Sequence, residues 1–153
     1  MIRLERVTRE NWQQAITLDI ADDQRRFLET PSVLYAIAEL QFHPAYIPYV
    51  IYDGDMMVGF VVYGFLPEDH RKGWIPLLII DRRYQGKGYG RAAMQAVIKA
   101  MREQTPDCTE IALSYKLDNT IAERLYLSVG FTKTDEVDEK GQVTMRMTFG
   151  QPG

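Results

Sequence analysis

The sequence predicts a mixed α/β domain built on one sheet, and three observations predict it. Short apolar runs with two-residue alternation recur along the chain, interleaved with stretches whose apolar residues fall three and four apart. Turn signals such as Asp53-Gly54-Asp55 and Lys140-Gly141 punctuate the runs. The resulting order is β-α-α-β-β-β-α-β-α-β-β, which gives about seven strands flanked by about four helices.

Residues 2–7 alternate apolar and charged, with Ile2 and Leu4 before Arg6-Val7, as a half-buried strand does. Thr8 is the expected N-cap of a helix over 9–19. Residues 22–40 read as helix in two pieces, broken at Thr30-Pro31. Residues 49–52 and 56–66 form a hairpin about Gly54, and 67–72 read as a polar loop. The 74–80 strand carries large side chains on both faces, which places it centrally. Residues 88–104 are helical, with Ala92, Ala93, Ala96, Val97, Ala100 and Met101 as the apolar face, and Pro106-Asp107 ends the helix. A strand at 110–115 is followed by a helix at 120–128, with a Thr120…Glu123 capping box and Gly130 at its close. Residues 132–137 and 142–148 complete a last hairpin.

The length, 153 residues, suits one domain, expected over 1–149 with a disordered tail at 150–153. Acidic residues outnumber basic ones by 21 to 18, a balance that argues against a nucleic acid partner. Cys108 stands alone, so no internal disulfide is possible. The first six residues lack an apolar signal core, and the longest apolar run, 74–80, is far short of a membrane span. The expectation is a cytoplasmic protein without membrane contact.

The chemistry is concentrated where the 74–80 strand runs through Asp81-Arg82-Arg83-Tyr84 into Gln85-Gly86-Lys87-Gly88-Tyr89-Gly90-Arg91. Three glycines at alternate positions open a helix. The first turn of a helix has amides without intrahelical partners, carrying about half a positive charge. Glycines let an anion approach that backbone, and Lys87 and Arg91 add positive charge. A phosphate cradle and a plain tight turn are both open on this loop alone. The Gly-Lys-Ser/Thr ending of a P-loop is absent, and so is a dinucleotide-type Gly-x-Gly-x-x-Gly with its acidic ribose partner.

About thirty residues further on stands Asn119-Thr120-Ile121-Ala122-Glu123-Arg124-Leu125-Tyr126, then Gly130-Phe131. With the first motif this resembles the GNAT superfamily of N-acetyltransferases. Its Gln/Arg-x-x-Gly-x-Gly/Ala loop is matched by Gln85, Gly88 and Gly90, and its Asn, Leu-Tyr and Gly-Phe positions by Asn119, Leu125-Tyr126 and Gly130-Phe131. The element order agrees over residues 2–148. The resemblance implies an enzyme using acetyl-CoA, with no metal, and a sheet splayed between the fourth strand (74–80) and the fifth (110–115). It places the pantetheine arm against Leu78, Ile79 and Ile80, and the pyrophosphate on Gln85, Gly86, Lys87, Gly88, Tyr89, Gly90 and Arg91. It sets Asn119 near the pantetheine and Tyr126 near the thioester sulfur as general acid. It also implies a homodimer. Read without the resemblance, Asn119 is equally a helix cap and Tyr126 a core aromatic.

An alkylamine has a pKa of ~10.4, so under about 1% is neutral at pH 7, and an acceptor amine must lose a proton before attack. The amide of Ile79 is the expected oxyanion donor. The fourth strand carries no carboxylate, so Glu29, acting through water, is the expected base. No activated nucleophile is visible, which favours direct transfer in a ternary complex. Asp19, Asp22, Asp23, Glu29 and Glu39, with Tyr35, Phe42, Tyr46 and Trp74, suit a polycationic primary amine, and Glu29 and Trp74 are the expected substrate contacts. The stretches Gln24-Arg25-Arg26-Phe27-Leu28-Glu29, Val58-Gly59-Phe60 and Ile80-Asp81-Arg82-Arg83-Tyr84 resemble the bacterial spermine/spermidine acetyltransferase group, from which Pro76-Leu77 departs. Another small amine, an antibiotic, an amino acid or a protein N-terminus is the alternative acceptor. A non-catalytic acyl-CoA-binding module is the alternative outside enzymes.

Overall fold

The computed structural model describes residues 1–150; of the expected tail, 151–153 lie outside the described residues. The strands are β1 (Ile2–Arg6), β2 (Tyr46–Asp53), β3 (Met56–Leu66), β4 (Asp69–Ile80), β5 (Glu110–Lys116), β6 (Thr132–Val137) and β7 (Gln142–Thr148). The helices are α1 (Trp12–Ala15), α2 (Asp22–Arg25), α3 (Val33–Glu39), α4 (Tyr89–Gln104) and α5 (Thr120–Val129). One sheet of seven strands runs in the order β1-β2-β3-β4-β5-β7-β6. Every neighbour is antiparallel except β4 and β5.

Both faces of the sheet are covered. Along β3, Val58, Val61 and Tyr63 point into the core beneath α4 and α5, whereas Met57, Phe60 and Val62 join the core beneath α1–α3. That two-sided burial explains why β3 reads as an unbroken apolar run. In α4 the fully buried stripe is Ala93, Met94, Val97 and Met101, while Ala92, Ala96 and Ala100 lie at its margin.

Several elements differ from the sequence expectation. The helix expected over 9–19 is a single turn, α1, bounded by Asn11 rather than capped by Thr8. Asn11 turns its amide backward, accepting from the Thr8 N–H at 2.8 Å and donating to the Arg6 carbonyl at 2.9 Å. Beyond α1 the ladder tightens and ends: the Thr17 and Leu18 N–H donate to the Gln14 and Ala15 carbonyls, and the Asp19 N–H turns away to the Asp81 carboxylate at 2.9 Å. The break at Thr30-Pro31 divides 22–40 as expected, which brings the number of α-helices to five among the described residues. The polar stretch expected as a loop at 67–72 is mostly strand: β4 begins at Asp69, opposite Leu66, because a backbone ladder does not depend on side-chain polarity. Thr120 does not cap α5. Asn119 does, its Oδ1 accepting from the Ala122 N–H at 3.2 Å.

The feature that positions the site lies between β4 and β5. They pair only at Lys72–Glu110, Gly73–Ile111 and Trp74–Ala112, and then diverge. The Asp81 N–H donates to the Val58 carbonyl at 2.8 Å, so strand alternation turns the polar groups of Ile79 toward β3 and those of Leu78 and Ile80 toward the gap. No helix among the described residues is long and apolar enough to cross a membrane.

Candidate active site

The gap opens into a cleft of about 310 Å³. Its floor is Leu78, Ile79 and Ile80 at the end of β4. One wall is the glycine loop and the start of α4; the other is α5, through Asn119, Ala122, Leu125 and Tyr126. Gln24 on α2, with Ile20 and Leu28 in the loops on either side of that turn of helix, closes it.

The loop is anchored from below. Asp81 is fully buried and accepts from the Asp19 N–H at 2.9 Å, the Arg83 N–H at 2.9 Å and the Arg83 Nε at 2.8 Å. Burial pushes its carboxyl up, but the Arg83 guanidinium and the two amides outweigh it and hold the group below the usual carboxylate range. Asp19 returns the tie: its carboxylate takes Arg25 at 2.9 Å and Arg82 at 3.3 Å, and its carbonyl accepts from the Arg82 N–H at 2.8 Å. The Gln85 Nε2 donates to the gap-facing carbonyl of Ile80 at 3.0 Å. On the far side the Tyr89 hydroxyl donates to Asp53 at 2.6 Å, which pins the first residue of α4 to the β2–β3 hairpin. That bond holds the Asp53 carboxyl below its ordinary range.

On this frame the backbone of the loop stands open. Gly86 and Gly88 have φ of 74° and 84°, left-handed values that favour glycine, and a Cβ at either would meet nothing within 4 Å. No side chain caps α4. Free amides, an open approach and Arg91 beside them suit a diphosphate, so the residues present fit coenzyme A. The hairpin glycines Gly54 and Gly141 are equally open, so it is the uncapped start of α4 beside Arg91, and not the openness of the glycines, that distinguishes this loop from a plain turn.

Tyr126 lies on the α5 wall with its ring edge-on to Tyr115 and Phe131, centroids at 6.2 and 6.1 Å. Burial pushes its phenol up to about 12, so it is protonated throughout the neutral range. A protonated phenol lining the cleft is a hydrogen-bond donor to a group bound there.

Among the expected cofactor contacts, Leu78, Ile79, Ile80, Gln85, Gly86, Gly88, Tyr89, Gly90, Arg91 and Asn119 line the cleft with Tyr126. Lys87 does not; it is exposed, its Nζ 6.0 Å from the Tyr84 ring centroid. Glu29 and Trp74 are not brought in either. The Glu29 carboxylate is held by Lys140 at 3.1 Å and by Gln142 at 3.4 Å, on the β6–β7 hairpin. Trp74 lies where β4 is still paired on both sides, with Gly64 and with Ala112, before the gap begins. The expected oxyanion role of the Ile79 amide is corrected by the register, which gives that amide to β3. Sequence reasoning passed over Ile20, Gln24 and Leu28, only the second of which is helical, and over buried Asp81. No cluster of His, Cys, Asp and Glu able to hold a metal ion occurs among the described residues.

Residues 9–131 match the model of the Acetyltransferase (GNAT) family, and the chain belongs to that family. It is an acetyl-CoA-dependent N-acetyltransferase acting on amines. The spermine/spermidine N(1)-acetyltransferase of Bacillus subtilis is 34% identical over 149 residues, spanning 94% of this chain and 96% of that protein. The N-alpha-acetyltransferase 30 of Xenopus laevis is 36% identical over 63 residues, 41% of this chain and 22% of that protein. Among solved structures, the spermidine N-acetyltransferase of Vibrio cholerae in complex with CoA and spermine superposes with a TM-score of 0.75 at 20% identity, covering 98% and 95% of the two chains. An aminoglycoside acetyltransferase in complex with coenzyme A reaches 0.79 at 16% identity, covering 97% and 95%; at these identities the likeness is one of fold.

Proposed function

We propose that the acceptor is a polyamine such as spermine or spermidine, acetylated by direct transfer within a ternary complex. The observation that carries the polyamine reading is the similarity to the Bacillus subtilis enzyme along nearly the full length of both chains. Exposed carboxylates next in sequence to cleft residues support it: Asp23 precedes Gln24 and Asp118 precedes Asn119, so the positive tails of a long amine have acidic groups to meet outside the apolar cleft.

Acetyl-CoA supplies an activated acyl group whose carbonyl accepts the amine. The residues supply position and protons. The free amides of Gly86–Arg91 and the Arg91 side chain hold the diphosphate; the gap-facing backbone of Leu78 and the Asn119 amide nitrogen hold the amide-bearing arm. As the nitrogen–carbon bond forms and the carbon–sulfur bond breaks, Tyr126 gives its proton to sulfur. The nitrogen loses one N–H proton to solvent, from which the phenol is reprotonated. The Leu78 N–H, turned into the gap, replaces Ile79 as the candidate donor to the acyl oxygen.

A second acceptor, a protein N-terminus, is favoured by the local match to the N-alpha-acetyltransferase. Thiol release from acetyl-CoA over spermine, spermidine, kanamycin and a short peptide separates the readings. Turnover with the polyamines is expected; turnover with the peptide alone overturns the polyamine assignment. A cytoplasmic homodimer is the accompanying proposal, and sedimentation of the purified protein as a monomer would contradict its dimeric half.

A further inference from the structure

Of the side chains lining the cleft, Arg91 alone is ionised at neutral pH, and no carboxylate is among them. Several acids near the acceptor wall are already engaged, although Asp23 and Asp118, which do not line the cleft, have no ion-pair partner among the described residues. Asp19 holds Arg25 and Arg82, Asp22 lies 3.6 Å from the same Arg25, Asp81 holds Arg83, and Glu29 holds Lys140. Three amide side chains line the cleft. Gln85 donates its Nε2 to Ile80, and Asn119 commits its Oδ1 to capping α5. Gln24 is the third, and no hydrogen bond to a described residue engages its side chain. It stands between Ile20 and Leu28, on a helix tied down by Arg25 to Asp19 at 2.9 Å and followed by an Arg26 carbonyl that accepts from Lys116 at 3.1 Å.

We propose that Gln24 is the positioning residue for the acceptor nitrogen, its Oε1 accepting an N–H of an amine that enters the cleft as the free base. The chemistry favours this form twice over. An apolar wall without a carboxylate disfavours an ammonium ion by desolvation. Gln24 offers an acceptor that orients a neutral N–H without fixing a positive charge, so the lone pair stays available for attack. The other groups around the cleft do not change the sign: the phenols of Tyr89 and Tyr126 are held above their ordinary range, the first by its bond to Asp53 and the second by burial, and Arg91 repels a cation. Only the reacting nitrogen is deprotonated; the remaining nitrogens of a polyamine keep their charge outside the cleft. This deepens the amine-acetyltransferase reading and is independent of which amine is used.

The test is the pH dependence of kcat/KM for two acceptors of different basicity, spermidine and benzylamine, with the unmodified enzyme. A site that takes the free base shows kcat/KM for the amine rising about tenfold per pH unit between about pH 6.5 and 8. A flat profile in that range means that the cation binds and an enzyme base removes its proton, which overturns the proposal. If benzylamine turns over and spermidine does not, the polyamine assignment fails while the benzylamine slope still decides this one. Gln24→Leu is expected to raise the KM of the amine about fivefold while the KM of acetyl-CoA stays unchanged. Gln24→Glu, which installs a carboxylate able to hold the cation, is expected to flatten the slope. An unchanged amine KM in Gln24→Leu, or an unchanged slope in Gln24→Glu, also overturns the proposal.

Discussion

The two walls of the cleft are built in opposite ways. The donor wall is backbone: a glycine loop whose amides are left free, strapped from beneath by the four-way contacts of Asp81 and from the side by Tyr89 on Asp53. The acceptor wall is side chain: Gln24 on α2 and Ile20 and Leu28 in the loops beside it, held in place by the Asp19–Arg25 pair. A diphosphate needs many donors at fixed positions, which backbone supplies at little entropic cost. An amine nitrogen needs one acceptor and a dry surrounding, which three side chains provide. Tyr126, on α5, lines the same cleft as both.

The largest effect is expected at Tyr126. Tyr126→Phe removes the proton donor and leaves the walls intact, so turnover is expected to fall about 100-fold with coenzyme A affinity unchanged in calorimetry. Unchanged turnover would dismiss the phenol as acid. The same variant has a signature in stability. Unfolded tyrosines ionise near pH 10, whereas Tyr115 and Tyr126 stay protonated to about 12 in the fold. Their contribution is therefore complete below pH 10 and lost as pH climbs from 10 toward 12, so Tyr126→Phe is expected to blunt the fall in melting temperature over that range.

Next comes the donor wall. Gly88→Val places a branched side chain at a φ of 84° and into the open cradle, and is expected to weaken coenzyme A binding about 30-fold, with a smaller change in amine KM. Retained cofactor affinity would count against the cradle. Asp81→Asn strikes what the two walls share. Asp81 is buried but its partner Arg83 is largely exposed, so weakening the pair is expected to cost about 1 kcal/mol in denaturant unfolding. Because the folded Asp81 carboxyl lies below its ordinary range, its contribution is present above about pH 4 and lost as pH falls further, so the variant is expected to lose part of the acid limb of the stability profile. The smallest effect belongs to Glu29→Gln, expected to change amine KM less than twofold, since its carboxylate is paired with Lys140 outside the cleft. A tenfold loss there would restore Glu29 as the base.

The same contrast explains what could be read in advance. The donor wall was legible because its chemistry is local: Gln85 to Arg91 are contiguous, and glycine at left-handed φ leaves a mark in the sequence. The hairpin about Gly54 and the helix ending at Gln104 were legible for the same reason. The acceptor wall was not. Ile20, Gln24 and Leu28 are not marked as neighbours of the α5 residues until all are seen lining one cleft, and Glu29 is a plausible ligand until Lys140 arrives from a hairpin far along the chain. The helix expected over 9–19 ends similarly, the Asp19 N–H turning away to Asp81, more than sixty residues along the chain.

Periodicity, turn residues and the two motifs thus determined by themselves that this chain forms one mixed sheet with a glycine-framed helix start at its centre, because each depends on residues within a turn or two of one another. Tertiary structure alone decided where β4 parts from β5, which carboxylates are neutralised, and which amide is left to face the amine. Those outcomes are settled by contacts between segments distant in sequence, and pairing in space leaves no trace in local spacing.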